Sequence, residues 1–178
     1  MPIKSDAQVH RTKEMISSAL LSLMDEYDYK DITVTQIAQY AAIDRSTYYR
    51  HFNSKEEILD CYVKEVVKEY ESFLLNQNSF SEKACAISFF TVCQNHKADL
   101  YRLHKHRLLP TLLAKSDDLF LTYHKKLLHE ARRSEEYQDI DYVISFFIGG
   151  FWHIVQKWVA DGMKKTPEQL VDIALQFL

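Results

Sequence analysis

The sequence predicts an all-α protein, and three observations lead to that prediction. Glycine is scarce: only Gly149, Gly150 and Gly162 occur in 178 residues, against an average usage of roughly 7%, so few tight hairpin turns are expected. The three prolines, at positions 2, 110 and 167, leave long stretches in which a helix can run without a break. Apolar residues make up 47% and charged residues 26% of the chain, a balance typical of a folded domain with a buried core.

Capping boxes indicate where several of the helices begin. Such a box places Ser or Thr at the N-cap and Glu or Gln three residues later, so that side chains satisfy the free N–H groups of the first turn. The boxes are Ser5 with Gln8, Thr33 with Gln36, Ser54 with Glu57, and Thr166 with Gln169. With the apolar periodicity, they predict helices over about 6–27, 34–41, 45–51, 55–75, 82–95, 98–108, 111–133, 139–162 and 167–178.

The segment 33–57 has the pattern of a helix-turn-helix, in which two short helices are joined by a short turn and braced by a longer helix. Asp44 is placed to cap the second short helix. Arginine can bond O6 and N7 of guanine, and hydroxyl groups reach phosphates. The outer face of the second short helix therefore suits the major groove of DNA. The core positions are Ile37, Ala38, Ile43, Tyr48 and Phe52, and the outer positions are Arg45, Ser46, Thr47, Tyr49 and Arg50.

Lys55 begins the fourth helix, where free N–H groups and the helix dipole also attract phosphate. The first 60 residues nevertheless carry seven Lys or Arg against ten Asp or Glu. A nucleic-acid site here must therefore be a local arrangement of charges and not a basic domain as a whole.

From Thr33 to Leu59 the sequence resembles the signature of TetR-type bacterial transcriptional regulators. The matching positions are Ile37-Ala38, Thr47-x-Tyr49-x-His51-Phe52 and Ser54-Lys55-Glu56-Glu57. The resemblance implies that the third helix is the recognition helix. It also implies that Thr47, Tyr49 and Lys55 hold the phosphate backbone, while Arg45, Ser46 and Arg50 face bases or nearby phosphates. Thr33 completes the predicted set of DNA-binding residues.

Two positions depart from the family pattern. Ala42 stands in the turn where the family usually has glycine, which costs on the order of 1 kcal/mol if the turn needs a positive φ. Tyr48 replaces the usual Phe or Leu of the core, so its hydroxyl needs a hydrogen-bond partner or access to the surface.

The last two helices carry the pattern of an interface. The 139–162 helix has two neighbouring apolar stripes, one of which includes Tyr142, Phe146, Gly150 and His153, so burial on more than one side is expected. The adjacent Gly149 and Gly150 suggest a close helix crossing or a kink. In TetR-type regulators these two helices form the dimer interface. The predicted dimerisation residues are Phe147, Phe151, Ile154, Trp158, Leu170 and Ala174.

The segment Trp158 to Glu168 resembles a branch of the family that includes a coactivator of dihydroxyacetone kinase operons. We therefore predict two helical domains: residues 1–55, a helix-turn-helix DNA-binding domain, and residues 56–178, an effector-binding and dimerisation domain reached through the long fourth helix. The boundary lies inside that helix or at the polar break 76–82.

Most aromatic residues lie beyond residue 60, where they either fill a helical core or line a pocket for an apolar effector. Candidate lining residues are Phe89, Phe90, Tyr101, Phe120, Tyr123, Phe147 and Trp152. The histidines between 96 and 133 have no metal-ligand spacing, and a solvated face is the better interpretation. No metal and no cofactor are predicted, and the residues that bind the effector stay unknown.

Catalytic and membrane roles find no support in the sequence. Without a phosphate-binding glycine loop, a nucleophile elbow or a metal triad, we predict that the chain is not an enzyme. No apolar run approaches the roughly 18 residues of a membrane span, and three unpaired cysteines suit a reducing cytoplasm. The sequence predicts a homodimeric, ligand-responsive regulator, by default a repressor, bound to a palindromic double-stranded DNA operator. The alternative is a coactivator that docks another regulator without specific DNA binding of its own.

Overall fold

The computed structural model describes residues 6–75, 81–130 and 139–176, and these residues form helices and no strand. The predicted all-α fold is therefore confirmed. A short 3-10 turn, Tyr29–Asp31, lies between the first and second helices. The helices are α1 (Asp6–Leu23), α2 (Val34–Tyr40), α3 (Arg45–Tyr49), α4 (Lys55–Leu75), α5 (Glu82–Asn95), α6 (Lys97–Lys105), α7 (Leu109–Glu130), α8 (Ile140–Ala160) and α9 (Pro167–Leu175).

The largest difference from the predicted helices is at the end of α1, which stops at Leu23 and not at residue 27. The last turn of α1 has no basic residue, and the acidic stretch that follows would repel the negative end of the helix dipole. The chain therefore leaves the helix and forms the 3-10 turn. Residues 76–80 of the predicted polar break, and the predicted helix ends at 131–133 and 177–178, lie outside the described residues.

The chain divides into two compact units, Met1–Val63 and Lys64–Leu178, and the division falls inside α4. In the first unit, each of the four helices contributes at least one fully buried side chain. Ile16 and Leu20 of α1 contribute to this core with Ile37 of α2, Tyr48 of α3 and Ile58 of α4. Because α2 and α3 are too short to be stable alone, burial against α1 and α4 is what holds them.

In the second unit, α8 packs against α6 and α7, while α9 packs against α5. Phe90, Val155, Val159 and Val171 are fully buried there. By length and composition alone α8 could cross a membrane, a property that core helices of soluble proteins share. Its contacts with two neighbouring helices suit a core helix.

Among the described residues, Gly149 and Gly150 do not lie at a helix crossing. A Cβ atom added at either position would meet no described atom within 4 Å. The close crossing suggested by the sequence is thus not made by any described helix, and Gly150 is exposed on the surface of α8.

Candidate nucleic-acid interface

The first short helix begins at the capping box that the sequence predicts. The backbone N–H of Gln36 donates to Thr33 Oγ1 over 3.2 Å, and the backbone N–H of Thr33 donates to Gln36 Oε1 over 2.8 Å. The Thr33 hydroxyl also donates to Gln36 Oε1 over 2.8 Å. Thr33 lies on the surface with its hydroxyl engaged in holding the start of α2.

The turn between α2 and α3 is a Schellman motif with alanine at the left-handed position. The N–H of Ile43 donates to the carbonyl of Ala38 over 2.9 Å, and the N–H of Ala42 to that of Gln39 over 3.1 Å. Ala42 has φ 52°, the conformation for which glycine is preferred. The turn therefore has the positive φ at which alanine is less favourable than glycine.

Asp44 occupies the N-cap position of α3, but its side chain makes no capping hydrogen bond. Its backbone carbonyl accepts from the N–H groups of Thr47 and Tyr48, at 2.9 and 3.1 Å. The capping role predicted for the Asp44 side chain is therefore wrong, and burial of Tyr48 and Phe52, 0% and 3% exposed, anchors the helix instead.

With Tyr48 turned inwards, α3 presents a continuous polar and aromatic surface. Arg45, Ser46, Tyr49 and Arg50 are exposed and Thr47 is half-buried. The Arg45 guanidinium lies 6.0 Å from the centre of the Tyr49 ring, and Arg50 Nη2 donates to Thr47 Oγ1. The structure thus brings five of the predicted DNA-binding residues together on one face. We call these five residues the α3 face.

The ammonium group of Lys55 lies against the turn that precedes α2. It donates to the backbone carbonyls of Tyr29, Ile32 and Lys30, at 2.6, 2.7 and 3.2 Å. It also lies 4.7 Å from the centre of the Tyr29 ring. Burial lowers the pKa of the Lys55 ammonium, because the charged form loses hydration there. The sequence contains no local pattern that pairs Lys55 with a turn more than 20 residues earlier.

The predicted dimerisation residues of the second unit lie in two environments. Trp158 and Leu170 are buried in the core, 3% and 5% exposed, while Phe147, Phe151, Ile154 and Ala174 are half-buried. The large apolar side chains that α8 leaves most exposed belong to the neighbouring stripe, with Tyr142 at 78% and Phe146 at 65%.

An apolar cavity of about 100 Å³ lies between helices of the second unit. Of the candidate lining residues, Phe89, Phe120, Phe147 and Trp152 line it, whereas Phe90, Tyr101 and Tyr123 are not part of its wall. The indole N–H of Trp152 donates to Asp117 Oδ1 over 2.7 Å, which fixes that ring. The other described residues that line it are Tyr70, Glu82, Cys85, His124, Ile140, Val143, Ile144, Ile148, Phe151 and Leu175.

The wall of the cavity contains a hydrogen-bonded pair that the sequence did not reveal. The carbonyl of Phe120 lies 2.8 Å from His124 Nδ1 and can only accept, so Nδ1 carries a hydrogen. The hydroxyl of Tyr70 lies 3.0 Å from His124 Nε2 and donates to it. Burial lowers the pKa of His124, which favours this neutral form. Among the described residues, no group of His, Cys, Asp and Glu could hold a metal ion.

Comparisons with known proteins agree with this geometry. Residues 16–61 match the sequence profile of the family described as bacterial regulatory proteins, tetR family, and residues 104–178 match one described as transcriptional regulator C-terminal region. The HTH-type transcriptional regulator YxbF of Bacillus subtilis is 26% identical over 97% of the chain, and the chain spans 46% of that protein, about half its length.

Two solved structures show the same fold. Lin0861 from Listeria innocua matches 99% of this chain and 93% of its own, with a TM-score of 0.77 and 13% identity. The dihydroxyacetone kinase operon activator DhaS matches 93% of each chain, with a TM-score of 0.61 and 18% identity.

A helix-turn-helix with an exposed polar second helix, followed by a separate helical unit, defines a DNA-binding transcriptional regulator. The two profile matches then give the family. The chain belongs to the TetR-type transcriptional regulators.

Proposed function

We propose that the protein is a cytoplasmic, ligand-responsive repressor that binds a palindromic operator as a homodimer. The observation that supports this most directly is the α3 face, which combines two arginines and three hydroxyl groups on an anchored helix. In this proposal the chain acts by binding and not by catalysis. A dimer would have to hold its two α3 helices about 34–36 Å apart, or a multiple of that spacing, to enter successive major grooves.

Within the α3 face we assign two kinds of contact. Arg45, Ser46 and Arg50 would read base edges or nearby phosphates, whereas the hydroxyls of Thr47 and Tyr49 would hold phosphates and set the register of the helix. Thr33, exposed at the start of α2, would complete the set of DNA-binding residues. Arg45 is stacked near the Tyr49 ring, so the base-reading and phosphate-binding groups would move as one surface.

For self-association we propose the open surface of α8, made of Tyr142, Phe146, Gly150 and His153. These residues recur at intervals of four and three and are all exposed, so they form one stripe along the helix. A second copy could approach closely at Gly150, where an added Cβ meets no described atom within 4 Å. Ile173 of α9, 40% exposed, would extend the contact. Phe147, Phe151, Ile154 and Ala174 would border it.

The self-association proposal is tested by Phe146→Glu, with Phe73→Glu on α4 as the matched control because Phe73 is also exposed, at 37%. Sedimentation velocity should show a dimer for the wild type and the control, and a monomer for Phe146→Glu. If Phe146→Glu is still a dimer at the same concentration, the interface lies elsewhere and the proposal is wrong.

The effector we propose for the cavity is apolar and uncharged. No Lys or Arg is among the described residues that line it, and burial lowers the pKa of His124, which favours the neutral ring. An anion inside would therefore lack a positive partner and would lose its hydration without compensation. If it binds, the effector shifts the dimer towards a state whose recognition helices no longer match the operator. The size of this shift is limited by the difference between its affinities for the two states.

Trp152 provides a direct readout of effector binding. The chain has two tryptophans, and the Trp158 indole donates to the carbonyl of Lys165 over 3.1 Å, away from the cavity wall. In a Trp158→Phe variant, a long-chain alcohol should quench the remaining fluorescence at lower concentration than a carboxylate of the same length. Tighter binding of the carboxylate would contradict an uncharged effector.

The alternative function is that of a coactivator that docks another regulator. It is favoured by the resemblance of residues 158–168 to the coactivator branch and by the fold likeness to DhaS, which is a dihydroxyacetone kinase operon activator. Its α3 face would then contact a protein and would show no preference among DNA sequences.

Selection of bound duplexes from a random DNA pool, at stated salt, decides between the two functions. Enrichment of a palindrome with two half-sites is expected for the sequence-specific regulator. No enrichment by protein shown to be folded and dimeric would overturn the repressor proposal and favour the coactivator.

A further inference from the structure

The ammonium group of Lys55 is saturated by backbone carbonyls. Three N–H groups are available on a lysine, and three carbonyls, of Tyr29, Lys30 and Ile32, lie within 2.6–3.2 Å of Nζ. A lysine that binds phosphate needs at least one of these donors for the phosphate oxygen. In this structure all three point into the protein.

The carbonyls that Lys55 binds belong to the 3-10 turn and to the residue that follows it. The last carbonyls of a helical turn have no partner within the turn and must be satisfied from outside. Here one positively charged group binds three carbonyls of this segment, and such charge-assisted hydrogen bonds are stronger than neutral ones. The carbonyl of Tyr29 also accepts from the N–H of Ile32, over 3.4 Å. Lys55 therefore acts as the C-terminal cap of the Tyr29–Asp31 turn.

A fourth hydrogen bond joins the same two segments. The hydroxyl of Tyr29 donates to Glu56 Oε1 over 3.0 Å, so the first two residues of α4 both hold the turn. Ile32, which follows the turn, is 2% exposed, and the next residue, Thr33, is the N-cap of α2. The position of the first turn of α2 is thus set by the start of α4.

We propose that Lys55 is a positioning residue for DNA binding and not a phosphate ligand: its ammonium group fixes residues 29–32, and through them α2 and the α3 face. The proposal rests on the DNA-binding function proposed above. It predicts that the geometry of the carbonyl site matters, whereas a phosphate ligand requires only a positive charge within reach.

Two substitutions separate these roles. Lys55→Met removes the charge and keeps the apolar stem, and Lys55→Arg keeps the charge but places a planar guanidinium that does not match three carbonyls around one point. Lys30→Met is the control, because Lys30 is an exposed lysine of the same turn. Each variant is titrated with the selected duplex over a range of salt, at a temperature where circular dichroism shows it to be folded.

Both Lys55 variants should bind on the order of tenfold more weakly than the wild type, as expected when a charge-assisted hydrogen bond is lost. The slope of log affinity against log salt should stay at the wild-type value, since no phosphate contact is removed. Loss of a phosphate ligand would instead reduce that slope by about 0.9. Retained affinity in Lys55→Arg with a reduced slope in Lys55→Met would overturn the proposal, and so would wild-type binding by both folded variants.

A measurement on the wild-type protein covers the case in which a variant does not fold. The ¹H–¹⁵N signal of the Lys55 ammonium should be visible in the free protein, because three hydrogen bonds slow its exchange, and it should not move when DNA is added. A signal that appears or shifts only with DNA would contradict the proposal. Failure of the wild type to bind any duplex would count against the DNA-binding function, whereas the signal of the free protein would still test the carbonyl site.

Discussion

Tyr48 and Tyr49 are neighbours on α3 whose rings meet edge to face, with centroids 5.3 Å apart and an angle of 85° between the planes. Tyr48 is 0% exposed and Tyr49 is 49% exposed. The Tyr48 hydroxyl has no hydrogen-bond partner among the described residues, and burial raises its pKa to about 12. One tyrosine therefore anchors the helix at some cost in stability, while the other is available to DNA.

Tyr48→Phe should raise the free energy of unfolding by about 1 kcal/mol, because it removes a buried hydroxyl without a partner and keeps the ring. Urea denaturation measures the change. Tyr70→Phe is the matched control: its buried hydroxyl donates to His124, so the same substitution should lower stability by about 1 kcal/mol. A stability loss in Tyr48→Phe would mean that its hydroxyl has a partner, such as an internal water.

Arg45→Ala and Tyr49→Phe should impair DNA binding in different ways. Loss of the Arg45 guanidinium should reduce the preference for the cognate duplex by about 1–3 kcal/mol, whereas loss of the Tyr49 hydroxyl should weaken cognate and random duplexes alike. Fluorescence anisotropy with both duplexes gives the two free energies. Equal losses on both duplexes in both variants would contradict this division of roles.

The sequence predicted best those features that are encoded by neighbouring residues. The capping boxes of α2 and α9 form as expected, at Thr33 with Gln36 and at Thr166 with Gln169. The inward positions of Ile37, Tyr48 and Phe52 also follow from helical periodicity, because each helix has one face against the core. In these cases the residues that decide the structure lie within a few positions of each other.

What the sequence left open depends on partners that are distant along the chain. The carbonyls bound by Lys55 lie 23–26 residues before it, and no local rule pairs them. On α8, periodicity shows two adjacent apolar stripes but cannot tell which one the rest of the chain covers. Ring contacts with Phe89 and Phe90 of α5 cover part of Phe151, whereas Phe146 of the other stripe stays exposed.

Ala42→Gly should stabilise the protein by about 0.5–1 kcal/mol. Ala42 is exposed and has φ 52°, so glycine relieves strain without removing a buried methyl group. Ala41→Gly is the control, because Ala41 has φ −75° and is 5% exposed, and glycine there should be destabilising. Thermal unfolding of both variants compares the two positions, and destabilisation of similar size in both would show that the positive φ carries no strain.

His96 gives the stability of the second unit a defined pH dependence. Its Nε2 lies 2.7 Å from Glu69 Oε2, and its Nδ1 lies 3.7 Å from Asp99 Oδ2. The neighbouring carboxylate of Asp99, followed by that of Glu69, raises the pKa of His96 in the folded protein. A raised pKa means that folding favours the protonated ring, so this contribution is complete below the unfolded pKa of about 6.5. It is lost as the pH rises through the folded pKa.

His96→Gln should therefore destabilise the protein most at a pH just below 6.5, where both carboxylates are ionised and the ring is charged. The difference in unfolding free energy between wild type and variant should shrink as the pH rises above 6.5, since the neutral ring no longer pairs with two carboxylates. His124 has the opposite sign: its pKa is lowered by burial, so its contribution is lost as the pH falls. Urea denaturation of both proteins from pH 5.5 to 9 isolates the His96 contribution, because His124 is present in both. A difference that does not vary with pH would show that His96 does not act through its charge.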